Sequence, residues 1–349
     1  MDRGGFGWPV MQRRRAIRVL ASAAGLACLP AGLPLPTPWR WRGAALGAEA
    51  RIDLWLDDPA DARRLIATCI AEVDRLERIF SLHRADSALS RLNRDGRLDH
   101  PPFELTLVLE TAARVSALTD DAFDVTVQPL WRALADHFRR GGSDPDGPDA
   151  ATLERLRPLV DHRAIEVEPS GVRFAKAGMA ATLNGIAQGL IADRVATLLQ
   201  DAGLARAFVD VGEIRALGSA PGGDAWPVRA GADGALLDLT QGAVATSSPS
   251  ALTFDAAGRL PHLLDPATLR PASAARDVTV VAGSALVADA LSTALAIRPG
   301  LRAPSGLGVQ VVQFGTATDP STGSSLRRGR SSGALPAAAP SSSPRALST

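Results

Sequence analysis

Residues 278–297 read Val278-Thr279-Val280-Val281-Ala282-Gly283-Ser284-Ala285-Leu286-Val287-Ala288-Asp289-Ala290-Leu291-Ser292-Thr293-Ala294-Leu295-Ala296-Ile297. The β-branched run reads as a buried strand, and the Ala/Leu-rich stretch from Ser284 to Ile297 reads as a helix. Working outward, short strands are expected at 207–211, 226–230, 235–239, 243–246 and 252–254. The alternation through 163–175 reads as a hairpin around Pro169-Ser170-Gly171. Helical spacing marks 60–79, 104–118 and 183–199, and 139–148 is a loop by composition. Strands and helices mix without the regular beat of βαβ units, so the fold class is α+β.

The chain has 349 residues, 46% hydrophobic and 21% charged, which is globular composition with enough length for a sizeable core. Its 38 Lys+Arg and 37 Asp+Glu leave a net charge of +1, which argues against nucleic acid as the main partner, because phosphate binding needs a clustered cationic surface. Residues 1–50 hold seven Arg and two acids, leaving 31 bases and 35 acids, or −4, for the remainder.

That basic start reads as an export leader. Arg13-Arg14-Arg15 precedes a short apolar stretch from Val19 to Ala27, and Pro30 breaks it too early for a bilayer span. Paired arginines with modest hydrophobicity fit a twin-arginine signal, and Ala48-Glu49-Ala50 offers a cleavage site that starts the mature chain near Arg51. The expected domains are therefore 1–50 as signal and linker, 51–315 as the folded domain, and 316–349 as a disordered tail rich in Ser, Pro, Ala and Arg. The location implied is the periplasm. Gly25-Leu26-Ala27-Cys28 is a poor lipobox, so a lipid anchor at Cys28 is not favoured. Cys28 and Cys69 are the only cysteines, so cleavage leaves no intramolecular disulfide.

Four groups could carry chemistry. Asp289 and Thr293 lie four apart on one helical face, giving two hard oxygen ligands suited to Mg²⁺; the alternative is an N-terminal Asp with a packing Thr. Asn184-Gly185-Ile186-Ala187-Gln188-Gly189 opens a helix whose N–H groups could face a pyrophosphate, although helix caps often look alike. His262, in His262-Leu263-Leu264-Asp265-Pro266, is a general base, a phosphate contact or a structural hydrogen-bonder. Ala122-Phe123-Asp124 offers an aromatic face beside a carboxylate, or a core Phe. Neither a P-loop nor zinc-type Cys/His spacing occurs.

Taken together and in order, these blocks resemble the ApbE family of FAD:protein FMN transferases. The resemblance also rests on Ser81, Ser87, Ser90 and Asn93, on Pro129-Leu130, on Asp193, on Val209-Asp210-Val211-Gly212 before Glu213-Ile214-Arg215, and on Ala245-Thr246-Ser247. It covers about residues 75–297. It implies a two-lobed, T-fold-like architecture and Mg²⁺-dependent transfer of FMN from FAD to a Thr or Ser hydroxyl of a partner flavoprotein, with release of AMP. It further implies FAD contacts at His83, Ala122, Phe123, Asp124, Thr182, Gln188 and Leu264. Metal ligands would be Asp289, Thr293 and the carbonyl of Gly185, with His262 and Asp289 as the catalytic residues.

This sequence departs from the family pattern at Thr182, where an Asp is usual, and at Gln188, where Lys or Glu is usual. The segments Leu183–Gly189 and Val211–Arg215 are similar to the NosX-type branch, which serves nitrous-oxide reductase systems by flavinylating a membrane-anchored partner. Contact with the membrane would then come only through that partner. Two other functions remain open from sequence: a flavin-binding scaffold without transferase activity, and an FAD pyrophosphatase that uses water as its nucleophile.

Overall fold

The computed structural model describes residues 37–313 except 142–143, 224, 231–234 and 273–275. The arginine-rich leader, Cys28 and the tail lie outside the described residues.

In chain order the elements are strands β1 (Trp39–Ala45) and β2 (Ala48–Leu54), helices α1 (Pro59–Phe80) and α2 (Ala88–Asp95), strand β3 (Arg97–Asp99), and helices α3 (Phe103–Leu118), α4 (Gln128–Arg139) and α5 (Ala150–Leu156). Then come β4 (Ile165–Glu168), β5 (Gly171–Phe174), α6 (Ala187–Asp201), β6 (Ala207–Asp210), β7 (Ile214–Leu217), β8 (Trp226–Ala230), β9 (Ala235–Leu239) and β10 (Gly242–Ser247). The last are β11 (Leu264–Asp265), β12 (Arg270–Pro271), β13 (Val278–Ala282), α7 (Ala285–Ile297) and β14 (Gln310–Gln313).

Seven strands form one sheet in the order β1-β2-β6-β7-β10-β13-β14. Every neighbouring pair is antiparallel. Alternation gives the sheet two apolar faces. Ala207, Val209, Ala243, Ala245, Val278 and Val280 join the main core with α1, α3, α6 and α7. Phe208, Ile214, Ala216 and Val244 point the other way, into a second cluster closed by Trp226, Val228 and Leu239 of the β8–β9 hairpin. A third cluster joins Leu130 and Leu134 of α4 and Leu153 of α5 to Leu264 and Leu269. The α+β reading therefore holds.

Three expectations are corrected. Residues 252–254 form no ladder strand, and only Thr253 makes a bridge, to Pro261. Helix α6 starts at Ala187 rather than 183. Ile186 stands at its N-cap and provides no side-chain cap, while the preceding residues are held outside the helix. Asn93 clamps Ala181 through both main-chain groups (2.8 and 2.7 Å), and the N–H of Thr182 donates to the carbonyl of Val125 (2.8 Å).

The third correction moves the domain start. The boundary expected at 50/51 cuts β2, which pairs with β1 on one side and with β6 on the other. Leu46 and Gly47 turn the β1–β2 hairpin with φ values of 46° and 78°, the paired positive angles of a tight two-residue turn. Across the hairpin, Arg40 forks onto the buried Asp53 (2.8 and 2.9 Å). The folded unit thus includes β1 from Trp39 onward.

Candidate active site

The local chemistry begins on helix α7. Ser284 caps its N-terminus, and Asp193 of α6 accepts from the Ser284 hydroxyl (2.7 Å) and from the N–H groups of Ala285 and Leu286 (2.9 and 3.0 Å). A carboxylate at a helix N-terminus satisfies orphan donors and opposes the positive end of the dipole. Asp193, a residue the family pattern includes, therefore docks α7 on α6. The two helices cross closely at Gly189, where a Cβ would lie 2.2 Å from the carbonyl oxygen of Ala285. One turn further, Asp289 reciprocates: its Oδ2 accepts from the N–H of Gly189 in the first turn of α6 (3.1 Å). That N–H is thus committed to Asp289 and is not among the donors the start of α6 could turn to a pyrophosphate.

Asp289 and Thr293 both line a cleft of about 970 Å³, counted out to open solvent. The cleft also takes in Phe123, Asp124, Thr182, Gly185, His262 and Leu264 from the expected set. Gly185 packs so closely on α7 that a Cβ there would lie 2.9 Å from Thr293 Oγ1 and 3.3 Å from the Phe123 ring. Any larger residue would push the Thr293 hydroxyl and the ring aside. The Asp289 carboxylate, the Thr293 hydroxyl and the Gly185 carbonyl are all hard oxygens, which fits a Mg²⁺-class ion that keeps water or phosphate in its other positions. Among the described residues no group of three or more His, Cys, Asp or Glu could hold a metal.

Phe123 is held from behind. The Ser116 hydroxyl donates to the Phe123 carbonyl, and the neighbouring Ala122 is fully buried. Asp124 caps the short helical turn of residues 125–127. Its Oδ1 accepts from the N–H and hydroxyl of Thr126 (2.7 and 2.6 Å), and its Oδ2 from the N–H of His162 (3.0 Å). Burial pushes the Asp124 carboxyl up, against these donors. His262 Nδ1 lies 2.9 Å from the carbonyl oxygen of Leu252, which can only accept. The neutral imidazole therefore carries its proton on Nδ1, leaving Nε2 as the basic nitrogen.

Besides Ala122, two expected residues lie outside the cleft lining. His83 is exposed outside the cleft lining, its N–H turned back onto Ser81 Oγ (3.1 Å). Gln188 is 1% exposed, packed over Gly212, with Nε2 3.4 Å from the carbonyl oxygen of Ala45. It braces the β1–β2 turn against α6 and does not line the cleft. The Ser81/Ser87/Ser90 pattern is likewise local architecture: the hydroxyls of Ser87 and Ser90 both donate to the Ser81 carbonyl (2.6 and 3.1 Å). Sequence reasoning passed over Trp131, Ser248 and Asp277, which also line the cleft. Ser248 donates to Asp277 Oδ1 (2.7 Å), a pairing across 29 residues that no local spacing reveals.

The sequence pattern of the ApbE family matches residues 46–305. An FAD:protein FMN transferase of Klebsiella pneumoniae is 29% identical over 297 residues, covering 80% of this chain and 83% of the relative. One from Vibrio cholerae is 29% identical over 248 residues, covering 66% and 73%. In fold, the chain is similar to the ApbE protein of Thermotoga maritima (TM-score 0.67, 25% identity, 79% of this chain and 94% of that one). It also resembles the apo flavinyl transferase ApbE of Pseudomonas stutzeri (TM-score 0.66, 24% identity, 81% and 97%). With the family pattern spanning residues 46–305, most of the folded unit, this chain belongs to the ApbE family.

Proposed function

We propose that the chain is an FAD:protein FMN transferase that moves FMN from FAD to a Ser or Thr hydroxyl of a partner flavoprotein and releases AMP. The observation that carries this reading is the convergence of Gly185, Phe123, His262, Asp289 and Thr293 on one cleft. The acceptor oxygen forms a bond to the FMN-side phosphorus, the bridging P–O bond of the pyrophosphate breaks, and AMP leaves with that electron pair. His262 Nε2 receives the proton of the attacking hydroxyl. Phe123 offers a flat apolar face to a planar ring, and Leu264 adds a second apolar side chain to the same lining. Asp289, Thr293 and Gly185 would hold Mg²⁺, whose chemistry there is neutralisation of charge developing on the phosphates. The proposal extends to export: the leader pattern assigns the protein to the periplasm, and the similarity of Leu183–Gly189 and Val211–Arg215 to the NosX-type branch points to a membrane-anchored partner of nitrous-oxide reduction.

The test uses the chain from residue 37 onward with FAD, Mg²⁺ and an acceptor domain bearing a flavinylation-type Ser/Thr motif, read by mass spectrometry. An FMN adduct that disappears with EDTA is expected. FMN and AMP released without an adduct would replace the transferase with a pyrophosphatase, and FAD left intact throughout would replace it with a binding protein.

A further inference from the structure

Behind the candidate metal ligands runs a line of hydroxyls whose direction is fixed by counting protons. Ser292 Oγ lies 3.0 Å from the carbonyl oxygen of Asp289 and donates to it, because a carbonyl cannot donate. A serine hydroxyl has one proton, so at its second contact Ser292 Oγ accepts, from Ser247 Oγ at 2.8 Å. With its own proton given to Ser292, Ser247 Oγ accepts in turn from Thr293 Oγ1 at 3.0 Å. The chain of donation therefore runs Thr293 to Ser247 to Ser292 to the Asp289 carbonyl. It links the end of β10 to a single turn of α7, with Ser292 fully buried and Ser247 and Thr293 half-buried.

The consequence falls on Thr293. A free threonine hydroxyl rotates and presents either its proton or its lone pairs to the cleft. Here its proton is drawn towards Ser247, so the lone pairs remain for a partner that needs an oxygen donor. We propose that Ser247 and Ser292 are positioning residues that hold the Thr293 hydroxyl as an oxygen ligand for a divalent cation shared with Asp289. The inference rests on the metal reading of the site given above, and it assigns to two serines a role that the ligands alone do not explain. Outer partners of this kind orient a ligand and typically contribute about 10- to 100-fold to metal affinity.

The test measures Mn²⁺ binding directly, by electron paramagnetic resonance of free Mn²⁺, on the chain from residue 37 onward, with thermal melts as the check of folding. Ser247→Ala leaves the Thr293 proton without its acceptor, and Mn²⁺ affinity is expected to fall about 10- to 100-fold. Ser247→Thr keeps a hydroxyl there and is expected to restore affinity to near wild type. Ser292→Ala removes the acceptor of the Ser247 proton, which then turns onto Thr293 Oγ1 and blocks its lone pair, so affinity is expected to fall here too. In both Ala variants FMN transfer is expected to recover at saturating Mn²⁺, which loss of fold would not permit. Wild-type Mn²⁺ affinity in Ser247→Ala and Ser292→Ala overturns the relay while leaving the metal site standing. A wild-type chain that binds no Mn²⁺ overturns the metal reading and the relay together.

Discussion

Asp289 does two jobs at once, and substitutions can separate them. One carboxylate oxygen accepts from the N–H of Gly189, where α6 has no capping side chain of its own, and the residue also faces the cleft beside Thr293. Asp289→Asn keeps an oxygen for the Gly189 N–H but removes the charge a divalent cation needs. Its melting temperature is expected to stay near wild type while FMN transfer falls at least about 100-fold, as loss of metal affinity through a ligand demands. Asp289→Ala removes the cap as well, so its melt is expected to drop by a further cost of about 1 kcal/mol. Paired thermal melts and adduct yields check both, and full transfer by Asp289→Asn would remove Asp289 from the metal set. The i,i+4 spacing of Asp289 and Thr293 made this pair legible from sequence. The Ser247–Ser292 contact spans 45 residues and exists only because β10 lies beside α7, so no local pattern announces it.

At the scale of elements, the first hairpin carries the sharpest consequence. A chain cut after Ala50 loses β1 and with it Arg40, one of the two arginines that neutralise the fully buried Asp53. Burial alone would push the Asp53 carboxyl up; hydrogen bonds from Arg40 and Arg51 overcome it and hold the group below the ordinary carboxylate range. A depressed carboxyl contributes stability that is present above its unfolded pKa and lost as pH falls through its folded pKa. The chain starting at Arg51 is therefore expected to be less stable than one starting at residue 37 by at least about 1 kcal/mol, since Arg40 is partly exposed and Arg51 still pairs with Asp53. Its acid unfolding is expected to begin at higher pH. Denaturant titrations of the two chains at pH 7 and through the acid limb decide it, and equal stability would mean that β1 is dispensable. Helices α1 and α3 were legible from periodicity because each lays an apolar face on the core, and α7 from its Ala/Leu-rich run, which is buried nearly all round. The hairpin was not, because β1 is a half-exposed edge strand and the small residues of Ala48-Glu49-Ala50 serve a buried strand as well as they would a peptidase. The start of α6 was misplaced for a related reason: its cap comes from Asp289, 100 residues away.

For the whole molecule, the question is whether the cleft and the main core open as one unit. Cleft residues come from the main core (Phe123, Ile297) and from the smaller cluster around α4 and the β11–β12 hairpin (Leu264). Arg298, just past α7, ties the two together, donating to the carbonyl of Asp120 (2.7 Å) and reaching Asp265 Oδ1 (3.4 Å). Cys69 provides a reporter far from the cleft in sequence. It is 1% exposed on the inner face of α1, and burial, with the nearby Glu72 charge adding to it, pushes its thiol up to about 12. A thiol that is both inaccessible and protonated is unreactive until the core opens. A ligand that binds only the folded state stabilises it by about 2.7 kcal/mol at 100 times its Kd, which lowers the open population about 100-fold. If the cleft and core are one cooperative unit, FAD with Mg²⁺ at that excess is expected to slow labelling of Cys69 by a disulfide reagent about 100-fold. Chelating the metal should return part of that rate. A labelling rate indifferent to FAD, with FAD binding verified separately, would mean that the α1 side of the core opens without disturbing the cleft, and that Arg298 does not couple the two clusters.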